Sequence, residues 1–210
     1  MRIKPYQEHA LRYDRWFDDH RLVYEAELQA VRTLLPTSGR GVEVGVGTGR
    51  FAAPLGICIG VEPSESMAAL AQQRGIKVIG GVAEALPLGN ATAEFILMVT
   101  VICFVSDLQQ TFREAWRVLA DRGQLVVAMI DRDSPLGQKY AAKKQQGSLF
   151  YQQATFYAVD EVVSVMKEIS FAEFSFCQTI YQDVSASTAQ EQVRVGHGEG
   201  LFAVIRGVKR

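Results

Sequence analysis

The sequence predicts an α/β fold built on a mostly parallel sheet with helices on both faces. Three observations carry this. From Gly41 to Ile130, short apolar runs of strand length alternate with segments whose apolar residues recur at helical spacing. The first run, Val42-Glu43-Val44-Gly45-Val46-Gly47-Thr48-Gly49, breaks into three glycines at alternate positions, as in a strand that ends in a tight turn and opens a helix. The C-terminal part has two strands with no helix between them, which suggests an antiparallel pair closing one edge of the sheet.

In chain order, Tyr13, Trp16 and Phe17 fall at i, i+3 and i+4 on one face of an N-terminal helix. Two readings fit this stripe: a helix docked on the core, or a lid whose aromatics close over a ligand. Tyr24, Leu28, Val31 and Leu35 continue with helical spacing until Pro36 and Thr37-Ser38-Gly39 end the helix. Residues 41 to 46 form the first strand. Only a short helix can follow, because Pro54 and Gly56 arrive at once. Ile57 to Val61 is a second strand ending at Glu62. Ser64 is placed to cap the next helix, which carries Met67, Leu70 and Ala71 and has Gly75 at its C′ position. Ile76 to Ile79 and Phe95 to Val99 are the third and fourth strands, with a loop from Gly80 to Pro87 between them. Asp107 caps a helix bearing Phe112, Ala115, Trp116 and Leu119, which Arg122-Gly123 stops before a fifth strand, Leu125 to Ile130. Ser134-Pro135 reads as a further helix start, Val162, Val163, Met166 and Ile169 as the face of another helix, and Phe174 to Ile180 and Leu201 to Ile205 as the closing strands.

A length of 210 residues suits one good core. The formal charge is −1, from 22 basic against 23 acidic side chains, so there is no global electrostatic case for nucleic acid. Lys139, Lys143 and Lys144 offer only a short basic stripe, better read as a solvated helix face. No apolar run reaches the roughly 18 to 20 residues that a membrane helix needs, and Met1 to Tyr6 lacks the apolar segment of a signal peptide. Cys58, Cys103 and Cys177 are too scattered for a disulfide framework or a metal site. The expectation is a reduced, cytoplasmic protein, monomeric or homodimeric, with no metal and no membrane partner.

Glu43-Val-Gly-Val-Gly-Thr-Gly49 resembles motif I of the class I S-adenosylmethionine-dependent methyltransferases. The acid Glu62 after the second strand, Gly81-Val-Ala-Glu84-Ala-Leu-Pro87, Val99-Thr100 and the Glu114 to Gly123 segment before the fifth strand agree with it in order. The nearest branch is similar to the small-molecule quinone and sterol enzymes. The resemblance implies a Rossmann-like three-layer sandwich of seven strands, mostly parallel, with an antiparallel edge strand. It implies one domain: a helical lid over 1–40, a cofactor-binding core over 41–130, a variable substrate-side insertion over 131–170 and a closing strand pair over 171–210. The sequence departs from the pattern at Val82, where aspartate is frequent, at Ala93-Glu94, where Phe-Asp is usual, and at Ser170, where glycine is usual.

S-Adenosylmethionine is the implied cofactor. Glu62 can accept two hydrogen bonds from a ribose diol. Gly45 and Gly47 cradle the ligand, and Glu43 can hold its ammonium, directly or through water. Glu84 and the Ala83 backbone can bond the adenine, with a solvated loop carboxylate as the other reading of Glu84. Pro63 and Met67 can flank adenine and ribose, although Met67 is also a natural core residue. Val99 and Thr100 end the fourth strand, and Tyr13 can reach the ligand carboxylate from the lid.

Ligands in such sheets bind outside the carboxyl ends of the strands. The acceptor pocket is therefore expected under residues 6–21 and 131–157, with Trp16, Phe17, Asp131, Tyr140 and Tyr157 as candidates and Phe150, Tyr151 and Phe156 nearby. Aromatic residues of this density suit a small, partly apolar acceptor. His20, Tyr13, Asp131 and Tyr157 are candidate bases, each with a plain structural alternative, and none is assigned a catalytic role.

Two other functions remain open on the residues alone. A nicotinamide oxidoreductase would use the same strand and acid, but its Gly-x-Gly-x-x-Gly spacing needs glycine where Arg50 stands. A binding protein that keeps the cofactor site without turnover shares every residue named.

Overall fold

The computed structural model describes residues 4–143, 150, 154–184 and 189–210. Among these the chain runs α1 (Lys4–Glu8), α2 (Ala10–Asp19), α3 (Arg21–Leu34), β1 (Gly41–Val44), α4 (Ala52–Leu55), β2 (Ile59–Val61), α5 (Glu65–Gln73), β3 (Lys77–Ile79), β4 (Ala93–Val99), α6 (Leu108–Val118), β5 (Leu119–Ile130), α7 (Pro135–Lys143), α8 (Val159–Glu168), β6 (Phe171–Thr179), β7 (Arg194–Val195) and β8 (Phe202–Lys209).

The strands form one sheet in the order β3-β2-β1-β4-β5-β8-β6-β7. The first five run parallel. β8 is antiparallel to both β5 and β6, so the expected antiparallel strands do close that edge, with β8 lying inside the pair. The two-residue β7 pairs with β6 as an eighth strand, one more than the resemblance implied.

Burial explains the layering. β4 is buried at six of its seven positions, as a central parallel strand covered on both faces must be. On one face, Phe112, Ala115 and Val118 of α6 and Val162, Val163 and Met166 of α8 pack against Ile96, Met98, Leu125 and Val127. On the other, Ala26, Ala30 and Val31 of α3, with Ala52 and Ala71, pack against Leu97, Val99, Val126 and Ala128. Each face removes its apolar side chains from water at roughly 25 cal/mol per Å².

The local starts and stops follow their chemistry. The Ser64 Oγ accepts from the Met67 N–H at 3.4 Å, the Asp107 carboxylate from the Gln110 N–H at 2.9 Å, and the Ser134 Oγ from the Gly137 N–H at 3.0 Å. Gly75 takes the left-handed C′ conformation after α5.

Several strand ends differ from expectation: β1 stops at Val44, β2 starts at Ile59, β6 starts at Phe171 and β8 runs on to Lys209, and the largest difference is at β5. β5 begins at Leu119, not Leu125, because Ala93 pairs with Leu119 and Phe95 with Gln124, leaving residues 120–123 as a bulge. Arg122 enters the left-handed region there, so Arg122-Gly123 mark a kink within the strand. Ser170 also takes a left-handed φ of 77°, the conformation that glycine adopts freely at this position in the related pattern.

Candidate functional site

The site grows from the carboxyl ends of β1, β2 and β4. After Val44 the chain turns through Gly45 (φ 68°) and Gly47 (φ 54°). A Cβ on Gly45 would lie 2.4 Å from Val101, so no other residue fits without displacement. A Cβ on Gly47 would meet nothing closer than 3.9 Å and would project into free space between Tyr13 and Met67. The turn therefore leaves its backbone bare toward a small pocket, ≈ 60 Å³, walled by Tyr6, Tyr13, Gly45, Gly47, Glu62, Met67, Val99, Thr100, Val101 and Phe104.

Glu62 sits in the wall of that pocket. The Gly47 N–H donates to its Oε2 and the Ser64 N–H to its Oε1, both at 2.9 Å. Burial raises its pKa, and the two amides oppose the shift by stabilising the ionised form. Each oxygen keeps a lone pair for a further donor. Glu43 lies deeper, 2% exposed, and does not line the pocket. Burial pushes its pKa well up, the Ala52 N–H opposes the rise, and the Glu62 charge adds to it. Its Oε2 has no partner among the described residues.

Thr100, at the end of β4, takes a left-handed φ of 52° while its N–H donates to the Ala128 carbonyl. Threonine rarely adopts this conformation, and such strain gathers at sites of function. Thr100, Val99 and Tyr13 also wall a second, larger cavity of ≈ 600 Å³. Its other lining residues include Trp16, Phe17, Phe51, Tyr140 and Phe150, with Arg12, Asp19 and Glu27 as the charged members. The aromatic residues of α2 thus serve both readings of the stripe: Phe17 is buried in the core, and Tyr13 and Trp16 face the cavities.

The N-terminal helices are fastened to the glycine turn by charge. Arg50 donates to both carboxylate oxygens of Asp14, at 2.9 and 2.8 Å, and to both of Asp18, each at 2.7 Å. Arg74 donates to Asp14 at 2.8 Å and to the Thr48 carbonyl at 2.8 Å. Burial works against ionisation of Asp14, but the Arg50 and Arg74 hydrogen bonds outweigh it and hold its pKa down at about 2. The residue that breaks the nicotinamide spacing is therefore the anchor of α2. Gln7 of α1 adds a contact, its Oε1 accepting from the Ser64 Oγ at 2.8 Å.

Other expected residues lie elsewhere. Asp131 is buried and organises the turn before α7: its carboxylate accepts from the Asp133 N–H, and its carbonyl from the Ser134 Oγ. It lines neither cavity, because the chain turns there and aims the side chain back at the backbone it caps. Tyr157 packs against the core on the α6/α8 face, so it too is absent from the large cavity. Phe156 joins Cys103, Phe104 and Ala154 in a separate apolar cluster. His20 stacks on Trp16, with ring centroids 4.6 Å apart, and its Nδ1 lies 3.0 Å from the Trp16 carbonyl, a structural role. Ala83 is buried in the core, and Pro63 stays outside the pocket wall, between the two ends that Glu62 and Ser64 fix. The Glu84 Oε1 accepts from the Ser106 N–H at 2.7 Å, tying the loop after β3 to the turn before α6, and Glu84 lines neither of the two cavities. Tyr151 and Lys144 fall outside the described residues.

Sequence reasoning missed several contributors, among them Val101 and Phe104 in the pocket wall and the acids Asp14, Asp18 and Glu27. Asp14 and Asp18, spaced i, i+4, were legible as one charged face opposite the aromatic stripe. Glu27 had no such signal, because an acid in a helix ordinarily points to water.

Comparison with known proteins gives a consistent picture. Residues 42–127 match the family model described as a methyltransferase domain. A solved structure from Thermotoga maritima, described as an S-adenosylmethionine-dependent methyltransferase and possible histamine N-methyltransferase, superposes with a TM-score of 0.96 at 48% identity, covering 99% of this chain and 100% of that one. An uncharacterised protein of Methanocaldococcus jannaschii is 41% identical over 204 residues, 97% of this chain and 98% of its own length. A malonyl-[acyl-carrier protein] O-methyltransferase of Methylococcus capsulatus is 29% identical over 127 residues, 55% of this chain and 46% of its own length.

Proposed function

This chain belongs to the class I S-adenosylmethionine-dependent methyltransferases, and from that premise we propose that it methylates a small, partly apolar molecule held in the ≈ 600 Å³ aromatic cavity. The observation that carries the proposal is the shared wall. Tyr13, Val99 and Thr100 border both the glycine-turn pocket and the large cavity, so ligands in the two meet across those three residues. The size of the cavity falls within the range usual for small-molecule sites.

The residues of the smaller pocket fit the cofactor. The bare turn at Gly47 leaves the space a Cβ would fill, and Glu62 presents two partly satisfied carboxylate oxygens. Glu62 would bind the ribose diol, Gly45 and Gly47 would admit the methionine end, and Met67 would pack on the nucleoside. Glu43 would act through water, and Tyr13 would close the outer side. The assignments of Ala83, Glu84 and Pro63 stand on the resemblance alone. The cofactor supplies an already activated methyl group, so the protein's work is alignment and exclusion of water. Tyr6, Tyr13 and Phe104 do the latter: the Tyr6 ring packs edge-on against both neighbours at 5.4 and 5.2 Å.

The name of the Thermotoga maritima relative favours nitrogen as the accepting atom. The test is transfer of a radiolabelled methyl group to a panel of small amines, phenols and thiols. Turnover of a panel member, abolished by substitutions lining the ≈ 600 Å³ cavity, supports the reading. Turnover unaffected by such substitutions refutes it.

A further inference from the structure

We propose that Glu27 is the residue that selects the methyl acceptor, and that it selects an amine: its carboxylate captures the ammonium form in the aromatic cavity and takes the proton that must leave before nitrogen can attack. This rests on the reading that the ≈ 600 Å³ cavity holds the acceptor.

The position of Glu27 is unusual. It lies on α3 between Ala26 and Leu28, and Ala26 is fully buried in the core. The surface that Glu27 leaves uncovered lines the cavity, beside Tyr13, Tyr140 and Phe51. Among the described residues its carboxylate has no hydrogen-bond or ion-pair partner. Arg12 and Asp19, the other charged lining residues, are exposed on α2 at the rim. Burial alone raises its pKa, to about 8. Glu27 is half-buried, and a carboxylate that faces an aromatic-lined cavity without a partner is costly to keep unless a ligand completes it.

The chemistry that completes it is a cation. Aromatic side chains dominate the lining, and the face of an aromatic ring is negatively polarised, which attracts an ammonium group and repels an anion. An alcohol or a phenol would leave the carboxylate with one neutral hydrogen bond and no charge balance. An ammonium group balances it.

The same pair solves the reactivity problem. A protonated amine has no lone pair to donate. When cofactor and acceptor fill the cavity and displace its water, the charged pair loses its hydration, and the proton passes from nitrogen to the Glu27 carboxylate, leaving a neutral amine and a neutral acid. The nitrogen lone pair then forms the N–C bond while the C–S bond breaks with its electron pair going to sulfur, so a sulfonium becomes a thioether and the product nitrogen carries the positive charge. Glu27 returns its proton to solvent when the cavity opens.

The test compares matched pairs of probes, 2-phenylethylamine with 2-phenylethanol and histamine with 2-(imidazol-4-yl)ethanol, on the whole chain. Binding is measured calorimetrically in the presence of S-adenosylhomocysteine, and transfer with methyl-labelled cofactor. The wild type should bind and methylate at least one amine ~10-fold or more in preference to its alcohol. Glu27→Gln should lose ~10-fold or more for the amine and less than ~2-fold for the alcohol, with S-adenosylhomocysteine affinity unchanged as the check on folding. Glu27→Asp should recover part of the preference. Amine preference retained in Glu27→Gln, or a wild type that takes the alcohols but not the amines, overturns the assignment of Glu27 and leaves the cavity reading intact. Normal cofactor binding with no member of either pair bound overturns the cavity reading, and this inference with it.

Discussion

Replacing Glu27 by glutamine should change how the stability of the free protein depends on pH. The carboxyl has an ordinary value of 4.5 and is raised to about 8 in the folded chain, by burial. The folded state therefore holds a proton that the unfolded state has released, throughout the window from pH 4.5 to about 8. Stability falls as pH rises across that window, and the whole penalty is present above it. In a fully dry site a rise of that size would weigh ~5 kcal/mol. A cavity of ≈ 600 Å³ admits water, which reduces this to ~2 kcal/mol. For a chain of this length that is a shift in Tm of ~4 to 8 °C. Glu43 is raised by burial too, but it contributes the same slope to both proteins and cancels in the difference. The assay is differential scanning calorimetry of wild type and Glu27→Gln from pH 5 to pH 9, without acceptor. The Tm of the wild type should decline relative to the variant between pH 5 and pH 8.5. Parallel profiles across that range would show that the carboxylate is not held in a poorly hydrated cavity, and the burial argument would fail.

Other outcomes follow from the same geometry. Glu62→Ala should weaken S-adenosylhomocysteine binding by ~10-fold or more, about 1.4 kcal/mol, read by calorimetry; unchanged affinity would remove Glu62 from the ribose site. Gly47→Ala should cost ~1 kcal/mol of stability for its left-handed φ and weaken cofactor binding further, since the methyl enters the pocket. Asp14→Ala should cost ~2 kcal/mol at pH 7, because Arg50 and Arg74 lose a largely buried partner. Asp14 is depressed from 3.8 to about 2, so its contribution is present above the unfolded value and fades as pH falls toward 2. Urea midpoints for wild type and Asp14→Ala should therefore converge between pH 4 and pH 2.

What was legible in the sequence was local. The caps at Ser64, Asp107 and Ser134 involve residues within three positions of each other, so side-chain chemistry and spacing specify them. The glycine turn and Glu62 were legible because a bare backbone and a strand-end acid are each demanding. Arg122-Gly123 misled because a helix stop and a strand bulge use the same left-handed backbone, and only the pairing of Leu119 with Ala93 separates them. Asp131 and Tyr157 were expected at the acceptor pocket from their place after β5 and failed because position along the chain does not say which way a turn aims its side chains. Glu27 was invisible for a related reason. In the run Tyr24-Glu25-Ala26-Glu27-Leu28, Glu25 is a surface residue paired with Arg21, and nothing local distinguishes its neighbour. What sets Glu27 apart is the cavity it shares with Tyr13 and Trp16 of α2 and Tyr140 of α7, and that is tertiary.

The clasp between Arg50 and the two aspartates of α2 has a kinetic consequence. Tyr13 and Tyr6, carried by the first two helices, stand in the wall of the pocket below the glycine turn, where only ≈ 60 Å³ is free. Moving those helices to widen the pocket for a nucleoside-sized ligand would break the bidentate contacts at 2.7 to 2.9 Å. Asp18 is largely solvent-exposed, so salt screens its share of the contact while Asp14 remains engaged. Exchange of the cofactor should therefore quicken with ionic strength, association and dissociation rising together, so that residence time shortens while the equilibrium constant changes little.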